Sequence, residues 1–165
     1  MFDRSITDTF KDLTVLVAED NAHMRNLLRT LLEAMGVSRV TLASDGATAL
    51  AEFDLVQPDI VITDGTMKPM DGFQLIRELR QRQSADTPPI PIIMLSGYLE
   101  VSRVKRAKEL GVTSFLAKPV SGLALSQHLR HAVSVRMGGA DQGPMKVSFE
   151  NQLMPDLAAN DQWKL

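Results

Sequence analysis

Short apolar segments along this chain each end at a polar or charged residue. Four of them are followed by the acidic pair Glu19–Asp20, by Asp64, by Ser96 and by Lys118. In an open parallel sheet whose strands are joined by helices, the carboxyl ends of the strands share one edge, and ligands bind at that edge. We therefore expect these residues, which are far apart in sequence, to converge in one crevice.

The chemistry of these side chains indicates a site for a cation and an anion together. Carboxylates are hard oxygen ligands that bind magnesium, and an ammonium group offsets the charge of a phosphoryl group. Two carboxylates about 4 Å apart repel each other by about 4 kcal/mol at an effective dielectric constant of 20. A cation is therefore expected among Glu19, Asp20 and Asp64.

The pattern of apolar residues predicts strands and helices in alternation. Strands are predicted over 15–18, 40–43, 60–63, 92–95 and 114–117. Helices are predicted over 24–35, 47–56, 72–83 and 99–110, with a last helix that is capped by Ser121 and reaches about Val135. A turn is predicted at Asp45–Gly46. This order predicts an α/β fold, a five-stranded parallel sheet with helices on both faces in a doubly wound arrangement.

Composition limits the classes of function. The chain has 165 residues, no cysteine and a formal net charge of −2 at pH 7. The lack of cysteine excludes thiol chemistry, and the lack of a basic stripe argues against direct binding of DNA. No segment has the pattern of a secretory signal or the length of a membrane span, so we expect a cytoplasmic protein without membrane contact.

Four motifs, taken in order, resemble the receiver domain of two-component response regulators. They are the acidic pair, the acceptor segment 64–72, Leu95–Gly97 and Phe115–Pro119. The resemblance extends from about Leu13 to Val135 and implies a flavodoxin-like receiver fold. The family usually has a proline four residues after the acceptor aspartate, whereas this chain has Lys68 there and Pro69 next. We expect this departure to change loop geometry rather than chemistry.

The resemblance implies a phosphoacceptor and a metal site. Asp64 is the expected acceptor, because a carboxylate can act as a nucleophile when the charge around it is neutralised. The expected ligands of Mg²⁺ are Glu19, Asp20, Asp64 and the backbone carbonyl of Thr66. The alternative for Asp64 is a turn or helix-capping role. The alternative for the acidic pair is to cap the first helix, although Asn21 could do that alone.

The resemblance also implies how the phosphoryl group is bound and sensed. Lys118 and Ser96 are the expected phosphoryl-binding and catalytic residues. Ser96 and Phe115 are the expected conformational switch, with an ordinary core phenylalanine as the alternative for Phe115. The bond between Lys118 and Pro119 is expected to be cis.

These roles predict a stand-alone response regulator receiver. It would accept a phosphoryl group on Asp64 from a histidine kinase or a histidine phosphotransfer protein and signal by contact with an unknown downstream protein. It would assist its own phosphorylation and dephosphorylation rather than act as an enzyme on a separate substrate. A rival hypothesis is an aspartyl-phosphate phosphohydrolase, but such enzymes typically need a second aspartate where this chain has Thr66. Another rival hypothesis is a pseudo-receiver that serves only as an interaction module. The presence of Asp64, Lys118 and the acidic pair argues against it.

The chain is expected to comprise an N-terminal extension over 1–12, the receiver domain over 13–135 and a C-terminal tail over 136–165. In the tail, apolar and polar residues alternate from Met145 to Glu150 as in a strand. Glycine and proline residues just before that segment favour disorder instead. Two hypotheses stay open: a tail strand that pairs with a sheet edge or a second molecule to form a homodimer, or a disordered tail.

Two further groups of residues are expected at the surface. The histidines His23, His128 and His131 are not arranged as in a hydrolase triad and are expected to be solvated. The fourth predicted helix carries four basic residues, Arg103, Lys105, Arg106 and Lys108. We expect a solvated face there, with a partner-facing patch as the alternative.

Overall fold

A computed structural model describes residues 8–97 and 100–138 of the chain. The strands are β1 Thr14–Ala18, β2 Arg39–Ala43, β3 Ile60–Asp64, β4 Ile92–Ser96 and β5 Ser114–Ala117. The helices that connect and follow them are α1 Ala22–Ala34, α2 Gly46–Val56, α3 Gly72–Arg82, α4 Val101–Glu109 and α5 Gly122–Arg136. The predicted tail strand lies outside the described residues.

The five strands form one parallel sheet in the order β2-β1-β3-β4-β5. The register aligns the last residues of neighbouring strands, for example Asp64 with Leu95 and Ser96 with Ala117. The carboxyl ends of the strands therefore meet along one edge. This confirms the predicted α/β class and the five-stranded parallel sheet.

Alternate residues of each strand enter two separate apolar cores. Val15 and Val17 of β1 pack in a core with residues of α1 and α5, whereas Leu16 and Ala18 pack in a core with residues of α2, α3 and α4. Because helices cover both faces of the sheet, β3 and β4 are buried at every position. The predicted doubly wound arrangement is confirmed, and none of the described helices is both long and apolar enough to cross a membrane.

Three residues differ from the sequence expectations. Gly46 begins α2 instead of completing a turn, because the side chain of Asp45 caps that helix by accepting a hydrogen bond from the Thr48 N–H. Phe10, in the expected N-terminal extension, is completely buried in the core beneath α1 and α5. His128 is also completely buried, so the expectation of a solvated position was wrong for it. In α5 it lies between Leu125 and Leu129, which are also completely buried.

Candidate functional site

The residues predicted from the four apolar segments lie together at the carboxyl edge of the sheet. Glu19 follows β1 and is completely buried, Asp64 ends β3 and is 6% exposed, and the adjoining Asp20 is exposed. One oxygen from each of these three carboxylates lies within 4.8 Å of the others. The structure therefore brings the acidic pair of β1 and the carboxylate of β3 into a single acidic cluster.

Lys118, which follows β5, reaches back into this cluster. Its Nζ donates a hydrogen bond of 2.8 Å to Oε2 of Glu19 and lies 3.2 Å from Oδ2 of Asp64. Glu19 is therefore the nearer of its two carboxylate partners. One ammonium group is thus shared between two nearly buried carboxylates.

Burial and the contacts of the ion pair have opposite effects on the pKa values of Glu19 and Lys118. Burial is the largest effect on Glu19 and raises its pKa, while the hydrogen bonds from Lys118 and from the Asn21 N–H only partly oppose that rise. Burial alone would lower the pKa of Lys118, but its hydrogen bond to Glu19 and the charge of Asp64 together raise the pKa above its ordinary value. Lys118 is therefore held firmly in its charged form.

The loop that carries the acidic pair is fixed by residues at the start of α1. The side chain of Asn21 caps the helix by accepting a hydrogen bond from the Met24 N–H at 3.0 Å, so the acidic pair is not needed for that role. Nη1 of Arg25 donates to the carbonyl oxygens of Glu19 and Asp20 at 2.8 and 3.1 Å. Sequence reasoning missed Arg25, because a helical arginine gives no local signal of such a backbone contact.

The acceptor loop folds closely against β3. Its Thr66 N–H lies 3.3 Å from Oδ1 of Asp64, and the Gly72 N–H donates to the carbonyl of Gly65 at 3.2 Å. A Cβ atom on Gly72 would lie 2.1 Å from the backbone oxygen of Asp64, so only glycine permits this approach. The Lys68–Pro69 bond that follows the unusual Lys68 is cis.

Ser96 and Phe115 lie on the other side of the acceptor. Ser96 ends β4 and is 1% exposed, and its carbonyl accepts a hydrogen bond of 2.9 Å from the Lys118 N–H. Phe115 is 3% exposed and packs in the core beneath α2, α3 and α4. The Lys118–Pro119 bond is cis, as the sequence resemblance implied. Every predicted site residue therefore lies at or near one edge of the sheet.

The acidic cluster fits a divalent cation. Its donors are carboxylate oxygens, and three oxygens within 4.8 Å of one another can contact a single ion. Three carboxylates and one ammonium leave two formal negative charges in the cluster, which one Mg²⁺ would balance. The chemistry that this arrangement supports is binding of a metal ion and of a phosphoryl group beside Asp64.

A second residue that sequence reasoning missed approaches the acceptor loop from α4. Nη2 of Arg103 donates a hydrogen bond of 3.0 Å to Oγ1 of Thr66. The guanidinium groups of Arg103 and Arg106 both lie over the ring of Phe73, with Cζ 5.1 and 4.5 Å from the ring centroid. The basic face of α4, expected to be solvated, is therefore partly used to contact α3 and the acceptor loop.

Comparison with known proteins identifies a family and individual relatives that are similar in sequence to this chain. The sequence matches the response regulator receiver domain family over residues 15–130. It is 34% identical over 122 residues to the protein-glutamate methylesterase/protein-glutamine glutaminase of Symbiobacterium thermophilum, covering 72% of this chain and 32% of that protein. It is 27% identical over 119 residues to the chemotaxis protein CheY-3 of Vibrio cholerae, covering 72% of this chain and 90% of that protein.

Solved structures give the same result. The crystal structure of a response regulator receiver domain protein from Clostridium thermocellum superimposes with a TM-score of 0.69 at 27% sequence identity. The superposition covers 76% of this chain and 98% of that one. The first two curated relatives are longer proteins, of which this chain spans 32% and 46%.

Proposed function

Since the chain belongs to the response regulator receiver domain family, we propose that it accepts a phosphoryl group on Asp64 from a phosphohistidine donor and signals through protein contacts. The donor would be a histidine kinase or a histidine phosphotransfer protein. The observation that carries this proposal is the position of Asp64, nearly buried between an ammonium group at 3.2 Å and two further carboxylates.

The proposed step is transfer of one phosphoryl group from nitrogen to oxygen. A carboxylate oxygen of Asp64 attacks the phosphorus of the phosphohistidine, the P–N bond breaks, and the imidazole nitrogen leaves with the electron pair and takes a proton. The product is an acyl phosphate on Asp64. Lys118 would contact the transferred phosphoryl oxygens from its position between the two carboxylates, and Ser96 would donate its hydroxyl to one of them.

Mg²⁺ is the proposed cofactor. Glu19, Asp20 and Asp64 would hold it, with the carbonyl of Thr66 as a further ligand, and when bound it would offset the charge of the phosphoryl oxygens. The buried Glu19 would act through water, since Lys118 already occupies one of its oxygens. The exposed Asp20 is free to coordinate directly.

The proposed signal is a change between two packings at Ser96 and Phe115. When the Ser96 hydroxyl binds the phosphoryl group, the space around the Phe115 ring changes, and the surface of α4, β5 and α5 changes with it. Phe115 is buried in the same apolar core as Val104 and Ala107 of α4. A shift of that ring would therefore reach α4 directly. The partner on this surface is proposed to be another protein.

The alternative functions receive less support. A phosphohydrolase of the aspartyl-phosphate type would need an acid two residues after Asp64, and the residue there is Thr66, whose hydroxyl accepts a hydrogen bond from Arg103. A pseudo-receiver would have no need of a half-buried lysine held in its charged form beside Asp64. We therefore propose a phosphoacceptor that assists its own phosphorylation and dephosphorylation.

The test is to incubate the protein with a small acyl-phosphate donor, with and without Mg²⁺, and to locate the modified residue by mass spectrometry after chemical trapping. We expect modification of Asp64 only when Mg²⁺ is present, and its complete loss in Asp64→Asn. Asp86→Asn, which removes an exposed carboxylate, is the matched control and should be modified normally. Phosphate on another residue, or equal labelling without a divalent cation, would refute the assignment.

A further inference from the structure

Arg103 of α4 lies beside the acceptor loop, on its α4 side. Its Nη2 donates to Oγ1 of Thr66 at 3.0 Å, and the Thr66 N–H lies 3.3 Å from Oδ1 of Asp64. A Cβ atom on Gly65 would lie 2.9 Å from the same Nη2. The guanidinium group is therefore packed against the residue that directly follows the acceptor, in a space that exists because residue 65 has no side chain.

The guanidinium group of Arg103 is held in place but not saturated with hydrogen bonds. Its Cζ lies 5.1 Å from the centroid of the Phe73 ring, which supports one face of the group. Its Nε is buried and has no hydrogen-bond partner among the residues that the structure describes. A positioned arginine with an unused donor, packed against the loop that follows Asp64, is suited to binding an oxyanion that forms there.

The charge of the acidic cluster indicates when the oxyanion would need a cationic side chain besides Lys118. Three carboxylates and Lys118 leave two formal negative charges, which a bound Mg²⁺ would balance. Phosphorylation replaces the single charge of Asp64 with up to about two charges. The phosphorylated site with its metal then carries about one uncompensated negative charge, and Lys118 is already engaged by Glu19.

We propose that Arg103 is a phosphoryl-binding residue, which rests on the proposed phosphorylation of Asp64. In the unphosphorylated protein its guanidinium group is held by Thr66 and Phe73. When the acyl phosphate forms, Arg103 donates to an outer phosphoryl oxygen from the α4 side, opposite the contact from Lys118. Arginine suits this role because it stays charged at all working pH values and presents several donors in one plane.

The test compares Arg103→Gln with Arg106→Gln in the full chain. Both changes remove one positive charge from α4 and one guanidinium group from the Phe73 ring, but only Arg103 contacts the acceptor loop. The probe is beryllofluoride, a phosphoryl mimic, titrated calorimetrically in saturating Mg²⁺. We expect Arg103→Gln to weaken its binding about tenfold, as for loss of a charge-assisted hydrogen bond, and Arg106→Gln to change it less than about twofold.

Two further measurements separate a direct contact from a structural defect. Mg²⁺ titrated alone should bind Arg103→Gln as tightly as the wild type or more tightly, because a positive charge near the metal has been removed. Weaker Mg²⁺ binding would indicate a distorted site and overturn the proposal. Arg103→Lys keeps the charge without the planar group of donors, and we expect it to recover part of the lost affinity for the mimic.

The outcomes distinguish this inference from the proposed function. If the wild type binds the mimic and is phosphorylated on Asp64, but Arg103→Gln and Arg106→Gln bind the mimic equally well, the role of Arg103 is refuted and the phosphoacceptor stands. If the wild type neither binds the mimic nor takes up phosphate on Asp64, both proposals are refuted.

Discussion

Replacing Lys118 with methionine is expected to destabilise the protein when no divalent cation is present. The change leaves the carboxylates of Glu19 and Asp64, with side chains 0% and 9% exposed, without their shared ammonium group. Their oxygens lie within 4.8 Å of each other in the acidic cluster. The ammonium offsets their mutual repulsion, which is about 3.5 kcal/mol for two unit charges at that separation and an effective dielectric constant of 20. Breaking a buried ion pair by removing one partner costs about 3 to 5 kcal/mol, so we expect a loss of about 3 kcal/mol in the free energy of unfolding.

The size of this loss should depend on pH. Burial raises the pKa of Glu19 in the folded protein, and removing Lys118 raises it further. A carboxyl group whose folded-state pKa is raised favours the folded state while it is protonated, and that contribution is lost as the pH rises through the folded-state pKa. The difference between Lys118→Met and the wild type should therefore be smaller at acidic pH and reach its full value once Glu19 is ionised.

The assay is urea unfolding with a chelator and again with added Mg²⁺. A ligand that binds only the native state stabilises it, and the gain in free energy of unfolding increases with the ratio of ligand concentration to dissociation constant. Lys118→Met should gain more free energy from Mg²⁺ than the wild type, because the competing ammonium is gone. Lys105→Met, which removes an exposed lysine of α4, is the control and should behave as the wild type in both conditions. Equal stability of Lys118→Met and the wild type in chelator, or an equal gain from Mg²⁺, would refute the reasoning.

Two further changes test the core and the helix contacts. Burial, with a smaller effect from His131, lowers the pKa of His128 to about 4, so its contribution to stability is present above pH 6.5 and is lost as the pH falls toward 4. Between pH 8 and pH 5, the free energy of unfolding should fall by about 2 kcal/mol less for His128→Gln than for the wild type. The control His23→Gln should follow the wild type. Arg80 donates to three backbone carbonyls, two after the end of α4 and one before the start of β4. Arg80→Met should therefore lower the free energy of unfolding, measured in urea, by about 3 kcal/mol. The control Arg77→Met, which changes an exposed arginine, should lower it by less than about 0.5 kcal/mol. A pH dependence unchanged in His128→Gln, or equal effects of the two arginine changes, would contradict these expectations.

The sheet and its edge could be predicted because both depend on short-range patterns. A run such as Ile60–Thr63 is β-branched throughout and is followed by Asp64. This pattern marks a strand buried on both faces and the point where it reaches the edge. Five such runs separated by helical segments leave few possible topologies. Convergence of Glu19, Asp64 and Lys118 then follows without knowledge of any individual contact.

Contacts made by long side chains could not be predicted in the same way. Whether Arg103 points to solvent or reaches Thr66 depends on how α4 is placed against α3, which no local pattern encodes. His128 is a different case, since it lies three residues after Leu125 and next to Leu129, both completely buried. Its helical position could have indicated burial, but the expectation relied on residue type alone.

Cations from three separate elements surround the acidic edge, and their different partners determine how the site responds to ligands. Arg25 binds backbone carbonyls and Arg103 binds a hydroxyl, so of these three only Lys118 is within salt-bridge distance of the carboxylates. The resting site therefore stays negatively charged and favours a metal ion. Under the proposed function, a bound metal would favour a phosphoryl group, and by linkage the phosphoryl group would strengthen metal binding by the same factor. A site with more neutralising cations would bind phosphate without the metal, and the two ligands would then no longer depend on each other.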